Sequence, residues 1–144
     1  MVWGCIKSDG TRLLIRWKTA VDSIEYQRIL SEALPQVYNN RSIFQQDGAP
    51  CHRSASTTAY FTANSIKLLK DRPPKSPDLN VIENLWAILK EKVKQRQPNN
   101  VNELWCYFLE EWQAIPQETI DKLYDSVKNR FRAVIASRGK TTKY

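Results

Sequence analysis

Short apolar runs alternate along the chain with longer stretches in which apolar residues recur every three or four positions, the pattern of strands interleaved with amphipathic helices. Residues 1–6 and 13–17 are strand-like and flank Ser8-Asp9-Gly10-Thr11, whose Asp-Gly pair predicts a β-hairpin. Tyr26, Ile29, Leu30, Ala33 and Leu34 then fall at helical spacing. They follow a capping-box-like start, Asp22 with Glu25, and precede Pro35, so a first helix is expected over residues 22–34. Residues 42–46 read as a short strand that stops at Asp47, Gly48 and Pro50, which sets Asp47 at a strand's carboxyl end.

A short helix around 54–63, a strand over 66–69 and a loop with Pro73, Pro74 and Pro77 lead to a helix with Asn80 at its N-cap. Its expected buried stripe is Ile82, Leu85, Trp86, Leu89 and Val93, and Glu83 falls in its first turn. Leu104, Phe108, Leu109 and Trp112 mark another helical face, and Pro116 suits the first position of the last helix. Ile120, Leu123, Tyr124, Val127, Phe131, Val134 and Ile135 form that helix's stripe, with Gly139 at its end. Strands alternating with helices predict an α/β sheet with a helical carboxyl-terminal layer, in one domain over 1–144.

Composition narrows the class. With 42% hydrophobic and 26% charged residues the chain has the makeup of a folded domain, not of a disordered, collagenous or disulfide-framed one. Cys5, Cys51 and Cys106 are odd in number, far apart and without a CxxC pair, so free thiols in a reducing, intracellular compartment are expected. No apolar run approaches the roughly 20 residues of a bilayer span, so no membrane partner is expected.

The net charge of +7 is unevenly placed. Residues 101–121 hold acids and no base, whereas the stretch from Lys90 to Arg96 and the tail with Lys128, Arg130, Arg132, Arg138, Lys140 and Lys143 are basic. Clustered bases suit a phosphate backbone through counterion release, and equally a solvated helix face; charge alone does not choose.

Two acids stand out by position. Asp47 before Gly48 reads either as a metal-binding carboxylate at a strand end or as a turn aspartate, and Glu83 either as its partner or as the capping-box glutamate three residues after Asn80. His52, the one histidine, stands beside Cys51, but no second Cys or His pair sits at zinc-ligand spacing. The five tryptophans fall mostly on apolar faces and are expected in the core.

Taken together, Gln45-Gln46-Asp47-Gly48-Ala49-Pro50-Cys51-His52 and Ser76-Pro77-Asp78-Leu79-Asn80 through Ile82-Glu83-Asn84-Leu85-Trp86 resemble the second and third catalytic blocks of DDE transposases of the Tc/mariner superfamily. Met1 to Cys5, Ala133-Val134-Ile135 and Thr141-Thr142-Lys143-Tyr144 resemble further blocks of that family in the same order, so the resemblance runs along essentially the whole chain. It implies a ribonuclease-H-like mixed sheet flanked by helices, with Asp47 and Glu83 as the second and third catalytic and metal-holding carboxylates. It also implies a two-ion Mg²⁺ (or Mn²⁺) site, His52 as an active-site neighbour, transposon DNA as partner, a homodimer and nuclear action.

The same resemblance sets a further expectation. The family's first acid lies in a central strand upstream of the segment resembling Met1 to Ile6, so the chain is expected to be the later part of a catalytic domain, starting at an internal methionine and inactive in transposition. Asp9, in a turn, and Asp22, at a helix cap, are not expected to replace that acid. Two rival readings follow: a non-enzymatic module binding nucleic acid through Lys90, Lys92, Lys94, Arg96, Lys128, Arg130 and Arg132, or a relic that does not fold stably.

Overall fold

A computed structural model of the chain describes residues 1–17, 20–69 and 79–137. The predicted hairpin is present. Strand β1 (Val2–Ile6) pairs antiparallel with β2 (Arg12–Arg16), with Gly4 opposite Leu14. Its turn is set by Gly10 at φ +87°, a left-handed conformation that glycine adopts without steric cost, and by Asp9, whose side chain accepts from the Thr11 amide at 2.9 Å.

Helix α1 spans Ser23–Val37, with the Asp22 side chain accepting from the amides of Ile24 and Glu25. It runs through Pro35, where the sequence led us to expect a stop. Proline removes one backbone donor, but this one lies in the last turn, and the Gln36 side chain donates to the Glu32 carbonyl while the Tyr38 amide still closes on Leu34. The strands expected over 42–46 and 66–69 shrink to one parallel bridge between Phe44 and Leu68. Two bonds hold it, from the Phe44 amide to Lys67 and from the Leu69 amide to Phe44.

Pro50–Arg53 forms a single helical turn, α2, that sequence periodicity is too short to reveal, and α3 (Ala55–Ala63) follows with Ser54 as N-cap. Helix α4 (Val81–Gln95) starts after Asn80, whose side chain, against expectation, makes no capping bond. Helix α5 covers Val101–Gln113 under an Asn100 cap, and α6 covers Gln117–Ala136. Pro116 is the N-cap of α6, one position before the expected one. The proline-rich loop expected over 70–78 and the expected helix end at Gly139 lie outside the described residues.

Successive side chains of a strand point to opposite faces, and β1 uses both. Val2 and Ile6 pack against a cluster built from Leu14, Leu85, Leu89, Val93, Trp112, Ile115 and Ile120. Trp3 packs on the other cluster, Tyr26, Leu30, Leu34 and Phe61, together with Phe44 and Leu68. The hairpin is thus a middle layer, with α4, α5 and α6 on one face and α1 and α3 on the other. Polar contacts pin it to the second layer: Arg12 Nη1 donates to the carbonyls of Trp112 and Ile115, and the Tyr124 hydroxyl to that of Ile6. The stripe expected on α4 is buried at Leu85, Leu89 and Val93, with Val81 added, while Ile82 and Trp86 are half-buried. On α6 the expected Ile135 is exposed.

Gly4 faces Trp86, which stacks on Trp112 with ring centroids 5.3 Å apart. A Cβ at position 4 would lie 2.9 Å from the Trp86 ring. Gly4→Ala is therefore expected to lower stability by about 1–3 kcal/mol through overpacking, read as a lower urea midpoint at unchanged slope.

The three cysteines are free thiols. Burial pushes the Cys5 thiol up to about 12, against a small opposing hydrogen bond at Leu13, while Cys106 is exposed. A folded pKa above the unfolded 9.0 means that the neutral thiol's contribution is whole below pH 9 and is lost as pH rises toward 12. At pH 8, iodoacetamide is expected to modify Cys106 in the native protein and Cys5 only after denaturation, as mass spectrometry of the peptides would show.

Candidate active site and nucleic-acid face

Asp47 follows the Phe44 bridge directly, where the chain leaves the strand direction and turns into α2. Its Oδ1 accepts from the Ala49 amide at 3.0 Å, the turn bond that a lone Asp-Gly pair would make anyway. The turn brings His52 back onto the carboxylate, with Nδ1 2.6 Å from Asp47 Oδ1. Nδ1 is buried, and the contact is bent away from a straight hydrogen bond, so it is a close polar contact rather than an aligned one. The Asp47 side chain itself is 56% exposed, open to a ligand.

Behind this pair stands a polar layer. The Tyr26 hydroxyl donates to Gln46 Oε1 at 2.6 Å, and Gln46 Nε2 donates to the His52 carbonyl at 3.1 Å. The Tyr26 and His52 rings lie 4.0 Å apart. Burial raises the Tyr26 phenol well above its ordinary range, so it is a neutral donor here. The next carbonyl back, that of Cys51, accepts from Thr57 Oγ1 at 2.8 Å, and Thr57 is fully buried under the Ser54 cap.

Glu83 is exposed in the first turn of α4 and makes no capping bond to Asn80. Gln45 Nε2 donates to the Leu79 carbonyl at 2.9 Å, fastening the strand that ends at Asp47 to the lead-in of the helix that carries Glu83. Among the described residues no group of three or more His, Cys, Asp or Glu gathers at metal-ligand distance. Asp47 and Glu83 offer hard oxygen donors, the type that suits Mg²⁺ or Mn²⁺, but two such residues are an open ligand set.

The basic residues proposed from sequence divide sharply. Lys90 and Lys94 are exposed, and lie seven and eleven residues after Glu83, on the same face of α4 at 3.6 residues per turn. Lys92 and Arg96 instead face α5. Lys92 pairs with Glu111 at 3.3 Å, and Arg96 pairs with Glu110 and Glu111 at 2.6 and 3.2 Å while its guanidinium lies over the Tyr107 ring. On α6, Lys128 and Arg132 are exposed, but Arg130 is 2% exposed and its Nε binds Ser126 Oγ, which removes it from any surface for nucleic acid. It occupies the inward face of α6, a place sequence periodicity reserves for apolar residues. Arg138, Lys140 and Lys143 lie outside the described residues. No described helix is long and apolar enough to cross a membrane.

Sequence reasoning read Tyr26 as one more core position of α1 and quoted Gln45 and Gln46 only as motif letters. The available signal was two consecutive amides ending an apolar strand, where a buried polar side chain must find a partner.

Asp47 with His52 against it, and Glu83 in the first turn of α4, thus lie on segments joined by the Gln45–Leu79 bond on a layered α/β scaffold. The family model "DDE superfamily endonuclease" matches residues 1–105, and the chain belongs to that family. It is 36% identical over 148 aligned positions to the transposable element Tc1 transposase of Caenorhabditis elegans and 34% to the Tcb2 transposase of Caenorhabditis briggsae. Each alignment takes in 100% of this chain and 54% of the relative, so the chain spans about half the length of these relatives.

Its fold is that of the Mos1 mariner transposase catalytic domain, a ribonuclease-H-like domain. The TM-score is 0.74 at 21% identity, with 92% of this chain and 70% of that one covered. Against the Mos1 strand transfer complex the TM-score is 0.78 at 20% identity, covering 92% of this chain and 40% of that one. The Mos1 catalytic domain has also been solved with Mn and with Mg.

Proposed function

We propose that Asp47 and Glu83 are two of the metal-holding carboxylates of a DNA strand-transfer centre, acting on transposon DNA in the nucleus, and that these 144 residues alone supply an incomplete ligand set. The observation that carries the reading is the linkage of the two acid-bearing segments: an exposed Asp47 in close contact with His52, on a segment tied through Gln45 to the lead-in of the helix of Glu83. Family membership and the relatives named above support it, as does the solution of the Mos1 catalytic domain with Mg and with Mn.

A pair of Mg²⁺ ions, when bound, would stabilise the charge on the attacking and leaving oxygens of an in-line displacement at a phosphodiester. Asp47 and Glu83 would hold that pair, and His52, on Asp47 Oδ1, leaves Oδ2 free to face it. Lys90 and Lys94 continue the Glu83 face of α4 and are placed to receive the phosphates of the strand being joined. A third acid is needed to close the set, and the unpaired edge of β1 supports where it belongs. Among the described residues the only strand partner of β1 is β2, and Phe44 bridges only to the 67–69 segment, which leaves both with an edge that a further strand could pair.

The chain alone is expected to give no Mg²⁺-dependent strand transfer on transposon-end DNA. A longer chain that adds the missing acid is expected to bind Mn²⁺ in a calorimeter and to lose that binding in Asp47→Ala and Glu83→Ala. Strand transfer by the 144 residues that Asp47→Ala abolishes would overturn the incomplete-site reading, and metal binding indifferent to both substitutions would overturn the assignment itself.

A second reading, a non-catalytic DNA-binding module, is favoured by the exposed Lys90, Lys94, Lys128 and Arg132. Binding to duplex DNA should weaken with salt, and Lys90→Gln and Lys94→Gln should each lower the log–log salt slope by about 1. Arg130→Gln should leave that slope unchanged and lower the melting temperature instead.

A further inference from the structure

Tyr26 sits 20 residues before Gln46 in sequence, on a helix that contributes no acid to the proposed centre, yet the Gln46 amide that bonds the His52 carbonyl leads back to it. Only 1% of the residue is exposed, and its hydroxyl donates to Gln46 Oε1 at 2.6 Å. A buried hydroxyl must keep its hydrogen-bond partner, which fixes its orientation. That orientation decides which end of the Gln46 amide faces Tyr26, so Nε2 must point the other way, to the His52 carbonyl at 3.1 Å. The Tyr26 ring meanwhile lies 4.0 Å from the imidazole, tilted by 32°. His52 is therefore held twice by one residue, at its backbone through Gln46 and at its ring by contact.

We infer that Tyr26 is a positioning residue for the active centre, and that Tyr26 and Gln46 together orient His52 so that its Nδ1 holds Asp47 Oδ1 and turns Oδ2 outward. Partners that orient ligand side chains in this way commonly matter about 10- to 100-fold in metal affinity. Trp3 of β1 packs against the cluster that holds Tyr26, so the hairpin also bears on this arrangement.

The inference rests on the assignment of Asp47 given above, and the test separates the two. His52 is the only histidine of the chain, so ¹³C-histidine labelling gives a single imidazole signal whose position and broadening by Mn²⁺ can both be followed. Tyr26→Phe keeps the ring and removes the hydroxyl, whereas Gln46→Glu keeps the acceptor for Tyr26 and removes the donor to His52. Both variants are expected to shift the imidazole signal, while circular dichroism stays that of the parent. Both should also raise the Mn²⁺ concentration needed to broaden the signal by about 10-fold or more.

If Tyr26→Phe does not fold, Gln46→Glu carries the same test. An imidazole signal unmoved in a folded variant would overturn the positioning role whatever the metal does. A signal that moves in the variants but is never broadened by Mn²⁺, even in the parent, would support the positioning of His52 and show that Asp47 and Glu83 hold no metal without a third acid.

Discussion

The two-residue repeat of a five-residue strand governs the arrangement of this protein. Because β1 sends Val2, Gly4 and Ile6 to one side and Trp3 to the other, a single short strand serves two cores that never merge. One core holds α4 in place, and with it Glu83. The other holds α1 against the Phe44 segment, and with it Asp47. A slip of one residue in the β1–β2 register would exchange the faces, sending Trp3 into the space that Gly4 leaves for Trp86. The two acids ride on elements packed against a common middle layer, and the Gln45 bond to Leu79 links the Asp47 segment to the lead-in of α4.

Charge is arranged on the same plan. The acidic stretch of α5 faces the basic end of α4, so Glu110 and Glu111 take up Arg96 and Lys92 in a partly buried network over Tyr107. Exposed ion pairs contribute little on their own, but this one sorts the lysines of α4 into two rows. One row stabilises the helix pair; the other, Lys90 and Lys94, is left in the field of Glu83. A net charge of +7 is therefore a poor guide to how much positive surface is available to DNA, since part of it is neutralised within the fold and Arg130 is buried outright.

Much of this was legible in the sequence, and the failures have physical causes. The hairpin and the long helices were visible because Asp9-Gly10 and the three-to-four spacing of apolar residues act locally. Phe44 and Leu68 looked like parts of strands, but a ladder needs a neighbour along its whole length, and a single bridge is what remains when only one side is paired. Pro35 failed as a stop because its position in the last turn decides its effect. Arg130 deceived because a charge count does not know which face of α6 turns inward. At the proposed site, Asp47, Glu83 and His52 were marked by motif, whereas Tyr26 was hidden by its apolar spacing: nothing local distinguishes a core tyrosine from one whose hydroxyl bonds the amide behind His52.

The account turns on Asp47 and Glu83 serving one metal site. The most direct test replaces Mg²⁺ with Fe²⁺ and adds ascorbate and peroxide, so that hydroxyl radicals formed at the bound ion cut the nearby backbone. Cuts beside Asp47 and beside Glu83, both suppressed by excess Mg²⁺ and both lost when either acid is replaced by alanine, are the predicted result. Cuts confined to one of the two positions, or cleavage that Mg²⁺ leaves untouched, would contradict a shared site.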